Sequence, residues 1–173
     1  LWVVAVAFVS CASAEKVAYK YEHLYKDLPF KMPKVKAPVF PTNQVNLADF
    51  GGVGDGITLN TEVFEKAMQS LSDKGGGKLI VPKGVWFTGP IVFRSNINMH
   101  LEKGALILFS PDFNLYPLVE TIFEGLDTRR CQSPISGRNL ENIAITGYGS
   151  IDGSGHAWKK KKKEKVTERM WKQ

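Results

Sequence analysis

The 173-residue chain is long enough for one domain and too short for two comfortable ones. With 43% hydrophobic residues, 23% charged residues, 16 Gly and 9 Pro, its composition excludes a disordered tail, a collagen-like repeat and a multi-span membrane protein. The formal net charge of +6 is confined to one place: Lys159 to Gln173 holds eight Lys or Arg against two Glu, and the rest of the chain balances fifteen basic against fifteen acidic side chains. A nucleic-acid binder spreads basic residues over a folded face, so this charge does not predict one.

Residues 1–14 form an apolar stretch that ends Ala12-Ser13-Ala14, the small-x-small form a signal peptidase accepts, with Glu15 opening the mature protein. The run is shorter than the roughly 20 residues a membrane span needs, so export rather than anchoring is expected. An alternative is a lipoprotein signal acylated at Cys11, since Val9-Ser10-Cys11 loosely fits a lipobox. Once Cys11 is removed, Cys131 stands alone, which excludes an internal disulfide and a cysteine-built zinc site. With no initiating Met and no closing signal after Met170, the chain is expected to be cut at both ends.

Residues 15–45 are rich in Lys, Tyr and Pro without a sustained period, as in an extended arm or linker lying against a domain. The domain is expected over 46–158. It starts from the strand-like Val45-Asn46-Leu47-Ala48-Asp49-Phe50 and a glycine-rich turn, Gly51 to Gly56. Phe64, Ala67, Met68 and Leu71 follow helical spacing, with Asn60 or Thr61 as N-cap and Gly75-Gly76-Gly77 as stop, which predicts a helix over 61–72. Short strands follow at 79–81, 85–87, 91–93, 97–101 and 105–109, each ended by Gly, Pro or Asn. None is followed by a helix, which excludes a βαβ sheet.

Ile97-x-Met99-x-Leu101-x-x-Gly104-x-Leu106 is echoed by Ile143-x-Ile145-x-Gly147-x-Gly149-x-Ile151, offset by 46 and then 45 residues. Taken as two solenoid turns of about 23 residues, the echo predicts an all-β parallel β-helix whose first coil is capped by the helix. A β-sandwich is the alternative, but it leaves one helix ahead of all the strands unexplained. Residues 159–173 are expected to form a solvated basic loop.

Asp49-Phe50-Gly51-Gly52-Val53-Gly54-Asp55-Gly56, Gly75-Gly76-Gly77-x-Leu79-x-Val81-Pro82-x-Gly84, Thr88-Gly89-Pro90-Ile91, Tyr116-Pro117 and Ile151-Asp152-Gly153-x-Gly155-x-x-Trp158 occur in that order. In combination they resemble glycoside hydrolase family 28, the polygalacturonases, over roughly residues 46–158. The resemblance implies a right-handed parallel β-helix and a secreted inverting hydrolase of α-1,4-galacturonosyl linkages, monomeric at full length and needing no cofactor or metal. Its partner is a polyanionic pectic polysaccharide. Such an enzyme uses two carboxylates about 6.5–9.5 Å apart. The family's Asn-Thr-Asp strand, Asp-Asp pair, Gly-His-Gly and Arg-Ile-Lys segments do not occur in this chain. No catalytic residue is therefore carried over, and the chain is expected to be an N-terminal fragment, inactive alone. Rhamnogalacturonan hydrolase of the same fold and a non-catalytic carbohydrate-binding or adhesin β-helix are the alternatives. A calcium-dependent pectate lyase fits the two end segments less well.

Among residues that invite a function, Arg129 and Arg130 are the candidate substrate contacts, because guanidinium forks suit a uronate carboxylate. They lie in a segment, Asp112 to Gln132, expected to be irregular, where pairing with Glu124 or Asp127 is the plainer expectation. Asp152 is expected to satisfy backbone N–H groups in a turn. Trp86 and Tyr148 are expected in the core or in coil stacking rather than on a sugar, and His23 and His100 are expected to be structural. Gly77-Lys78 lacks the Ser or Thr of a phosphate loop, and Gly147-x-Gly149 lacks the third glycine of a dinucleotide fingerprint.

Overall fold

The computed structural model describes residues 22–159 and residue 168. The apolar stretch 1–14, with Cys11, and nearly all of the basic segment 159–173 lie outside these. The chain falls into two units, Leu1–Val39 and Phe40–Gln173. In the first, Glu22–Tyr25 forms a turn of 3-10 helix. Lys34 Nζ donates to Glu22 Oε1 at 2.6 Å, and the Val35 amide donates to the Tyr25 hydroxyl at 3.0 Å.

In the second unit β1 (Gln44–Asn46) is only three residues long. The expected strand through Phe50 instead turns into a 3-10 helix at Leu47–Phe50. Asn46 is the reason: its side-chain oxygen accepts from the Ala48 amide at 3.0 Å, a local bond that competes with the extended ladder. Then comes α1 (Thr61–Asp73), which buries the Phe64, Ala67, Met68 and Leu71 stripe and packs against β1, β2 (Gly77–Val81) and the 3-10 turn. Burial of such side chains stabilises by about 1.5–3 kcal/mol each for the larger ones. The helix ends in a Schellman motif: the Gly76 amide donates to Leu71 O at 2.8 Å and Gly75 to Ser72 O at 2.9 Å, with Gly75 at φ +82°.

The remaining strands are β3 (Gly84–Thr88), β4 (Ile91–Val92), β5 (Ile97–Leu101), β6 (Ala105–Phe109), β7 (Leu118–Phe123), β8 (Leu126–Cys131), β9 (Ile135–Ser136), β10 (Ala144–Gly147) and β11 (Ser150–Asp152). Three parallel sheets, in the orders β1-β2-β5-β10, β3-β6-β11 and β4-β9, stack successive coils into a parallel β-helix. Inward residues stack in columns across successive rungs. Leu79, Met99 and Ile145 form one column, and Trp86, Ile107 and Ile151 another, as the pairing registers require. Alternation along β2, β5 and β6 puts every second side chain into the core.

The register corrects the reading of the repeat. Gly77 pairs with Ile97, so an undecorated coil takes 20 residues. Met99 pairs directly with Ile145 on the neighbouring strand. The 46-residue echo is therefore one coil, not two of about 23, enlarged by an excursion between β6 and β9. The expected irregular insertion is a regular antiparallel hairpin, β7 with β8, turned by Glu124 and Gly125, both at positive φ.

Corners are held by short polar ladders. Asn96 and Asn142 sit one coil apart with φ of +62° and +50°, and the Asn142 side-chain Nδ2 donates to Asn96 Oδ1 at 3.0 Å. Gly76 lies against the same corner at φ +114°, where a Cβ would run into the Asn96 carbonyl, so only glycine fits. The turn Gly51 to Gly56 is organised by two side chains. Asp55 accepts from the amides of Thr58 and Ile57 at 2.8 Å each and from the Thr58 hydroxyl at 2.7 Å. Asn60, fully buried, accepts from the Val53 amide and donates to the carbonyls of Val53, Thr58 and Phe87. It stands at the N-cap position of α1, but its side chain serves the loop and makes no cap bond.

The Asp55 bonds, that from the Thr58 amide first, hold its carboxyl below the ordinary 3.8. A carboxyl depressed in the folded state contributes stability above its unfolded value, and that contribution is lost as pH falls through the folded value. Asp55→Asn is therefore expected to melt below the parent at neutral pH, with the gap closing as the solution is taken well below pH 3.8. Parallel melts of the two proteins across acid pH check this; a gap that is constant with pH refutes it.

Candidate functional site

The hairpin supplies the chemistry-bearing side chains outside the core. Its base is closed by the Gln132 backbone amide, which donates to Pro117 O at 2.9 Å, and β9 then re-enters the β-helix by pairing with β4. Beneath it Tyr116 is buried and donates its hydroxyl to Ser110 O at 2.8 Å; burial pushes its phenol pKa up. Trp158 packs edge-on against Phe113 and Tyr116, with ring centroids 4.6 and 4.9 Å apart. Its indole N–H is buried and finds no partner among the described residues.

Alternation sends Arg129 and Arg130 to opposite faces of the ribbon. Arg129 stands opposite Glu120, and its Nε lies 3.6 Å from Glu120 Oε1, so its partner is the cross-strand acid rather than Glu124 or Asp127. Both groups are exposed, and such a pair contributes at most about 1 kcal/mol. The Arg130 guanidinium lies 4.2 Å from the centroid of the Phe123 ring. That contact occupies the face of the guanidinium and leaves its in-plane N–H groups for an anion. Sequence reasoning missed Arg138, whose Nη2 donates to Glu120 O at 2.7 Å and which joins Arg130 in lining a groove of about 590 Å3. The spacing of the two arginines in sequence carried no sign of this, because the β8-to-β9 return alone brings them together.

The other expected residues resolve individually. Asp152 Oδ1 accepts from the Ser154 amide at 2.8 Å, the turn role expected of it. Trp86 is buried and donates to Pro82 O at 2.7 Å. Tyr148 is 88% exposed rather than in the core or in coil stacking, since among the described residues β10 and β11, which its turn joins, are the outer strands of their sheets. His100 Nδ1 lies 2.8 Å from Thr146 Oγ1, which itself donates to Asn98 Oδ1 on the outer face of the sheet. His23 falls in the 3-10 turn of the first unit. No helix among the described residues is long and apolar enough to cross a membrane.

No protein-family model matches the chain. A probable polygalacturonase of Vitis vinifera is 40% identical over 125 residues, covering 67% of this chain and 26% of that protein. The crystal structure of a hyperthermoactive exopolygalacturonase from Thermotoga maritima aligns with a TM-score of 0.66 at 41% identity, over 82% of this chain and 29% of that one. The Family 28 exopolygalacturonase of Yersinia enterocolitica aligns with a TM-score of 0.59 at 32% identity, over 65% of this chain and 21% of that one. The chain thus spans less than a third of the length of these relatives. Shared coils at this identity leave no room for a sandwich or a layered α/β sheet, and over them the chain belongs to glycoside hydrolase family 28, the polygalacturonases.

Proposed function

We propose that the chain forms the opening coils of an exported, inverting hydrolase that cleaves α-1,4-galacturonosyl linkages in polygalacturonate. The observation that carries this reading is the likeness to polygalacturonases along the stretch where the coils pair in register. The β-helix is taken as right-handed, the hand of nearly all parallel crossovers. The helix α1, packed on β1 and β2, is taken as its N-terminal cap, covering an otherwise unpaired edge. Export rests on the apolar run 1–14 and its Ala12-Ser13-Ala14 end, with lipid attachment at Cys11 as the variant. Arg130 and, from the ribbon's other face, Arg129 are assigned to contact the polymer's carboxylates, because a uronate suits a guanidinium fork. The two hydrolytic carboxylates are assigned to sequence that the longer relatives carry beyond the matched segment.

The 173 residues alone are expected to release no reducing sugar from polygalacturonate. Turnover by them would overturn the placement of the carboxylates. The substrate is tested on the full-length gene product, assayed on polygalacturonate and on rhamnogalacturonan side by side. Reducing-sugar release from polygalacturonate is the expected result. Release from rhamnogalacturonan alone, or binding to either polymer without release, overturns the reading.

A further inference from the structure

The hairpin face that carries Val119, Thr121 and Arg130, with Val92 of β4 and the β9 return, forms the groove that Arg130 and Arg138 line. Four more of its lining residues are polar: Thr121, Gln132, Ser133 and Ser136. No carboxylate is among the lining residues. Glu120 of the ribbon pairs with Arg129 on the opposite face and offers its backbone carbonyl to Arg138. Two guanidinium groups thus share one concave surface without a compensating anion. Each has one anchored side, Arg130 on the Phe123 ring and Arg138 on the hairpin backbone. Anchoring also lowers the entropy lost when a ligand is gripped.

The paired arginines supply donors for a carboxylate, while Ser133, Ser136, Thr121 and the Gln132 amide supply neutral partners for hydroxyls. Gln132 Nε2 already donates to Ser136 Oγ at 3.0 Å, which holds that wall in place. A carboxylate flanked by hydroxyls is the chemistry of a sugar acid. We propose that this groove is a uronate-binding subsite in which Arg130 and Arg138 together grip one sugar carboxylate. The assignment rests on the pectic reading above, and Arg138 is its new and deciding member.

The test titrates the full chain with trigalacturonate and with the same trimer after reduction of its carboxyl groups, by calorimetry and by following the arginine side-chain Nε–H signals in NMR spectra. Trigalacturonate is expected to bind at least tenfold more tightly than the reduced trimer and to shift the Arg130 and Arg138 signals. Arg138→Gln is expected to weaken binding about tenfold, and Arg138→Lys to recover part of it. Lys66→Gln, which removes the same charge on the exposed face of α1, leaves binding unchanged. If trigalacturonate binds but the Arg138 signal stays still, or Arg138→Gln binds undiminished, the subsite is refuted and the pectic reading survives. The signal shift in the parent protein decides the matter even if Arg138→Gln folds poorly. If trigalacturonate does not bind while dextran sulfate does, the pectic reading fails and the uronate assignment fails with it.

Discussion

Asn60→Leu is expected to destabilise the β-helix unit by about 3–5 kcal/mol, the sum of one stranded donor at about 1–3 kcal/mol and several lost bonds at about 1 kcal/mol each. Leucine keeps the heavy-atom count and branch point of asparagine, but its methyl groups are bulkier, so overpacking at this fully buried site adds to the cost. Asn60 is fully buried, and its amide is the common partner of the Val53 amide and of three carbonyls, those of Val53, Thr58 and Phe87. A leucine leaves the Val53 N–H without its acceptor. It also removes the side-chain tie from this turn to the Phe87 carbonyl of β3, while the backbone bonds between Gly56 N and Val85 O and between Val85 N and Gly54 O remain. The Phe87 carbonyl keeps one partner, the backbone amide of residue 60 at 2.9 Å, so the strand itself is not lost. For a domain of this size the melting temperature should drop by about 10 °C or more. Asn60→Asp gives a second readout. A carboxylate facing three carbonyls is favoured only when protonated, so its folded pKa is raised. Its stability is then greatest at low pH and is lost as pH rises. Thermal melts at two pH values check both variants; an Asn60→Leu protein melting within two degrees or so of the parent refutes the claim.

The same charge placed one rung apart should have opposite consequences. Met99 and Ile145 are register partners on adjacent strands, yet Met99 is fully buried and Ile145 is 46% exposed. Among the described residues β10 and β11 are the outer strands of their sheets, and Ile151 above Ile107 repeats the contrast at 40% exposure. Met99→Asp must bury an unpaired carboxylate or unfold, a penalty of several kcal/mol against a total stability of about 5–15 kcal/mol. We expect no cooperative melt from it. Ile145→Asp keeps its charge in contact with water and should cost about 1 kcal/mol or less. It should also reduce binding of an apolar dye, since Ile143, Ile145 and Leu140 line an open apolar hollow of about 520 Å3 beside β10. Circular dichroism melts and dye fluorescence on the two variants settle the matter. Equal damage from both would mean that the β10 rung is as enclosed as the one beneath it.

Much of the architecture was legible without coordinates, for reasons that lie in local chemistry. The period of Phe64, Ala67, Met68 and Leu71 and the three glycines after Asp73 specify one helix and its end, because a helical stripe and a Schellman turn need only neighbours in sequence. Strands 97–101 and 105–109 were equally plain, since alternation and turn residues mark them. The assignment of Asp152 to a turn followed from its glycine neighbour in the same way.

What the sequence alone determined, then, is the helix, the five strands between 79 and 109 and the kind of stack they build. Tertiary structure alone decided the coil length, the hairpin and the arginine groove. A 46-residue echo is compatible with one decorated coil or two plain ones, and only the pairing of Met99 with Ile145 chooses. The Glu124-Gly125 turn is a weak local signal, so the hairpin forms because a coil that leaves at β6 must return to pair with β4. Arg130 and Arg138 meet because β9 closes that path, and the ribbon's alternation turns the carboxylate of Glu120 away from them. Charge arithmetic counts such groups but cannot say which share a surface; that is set by chain closure at long range.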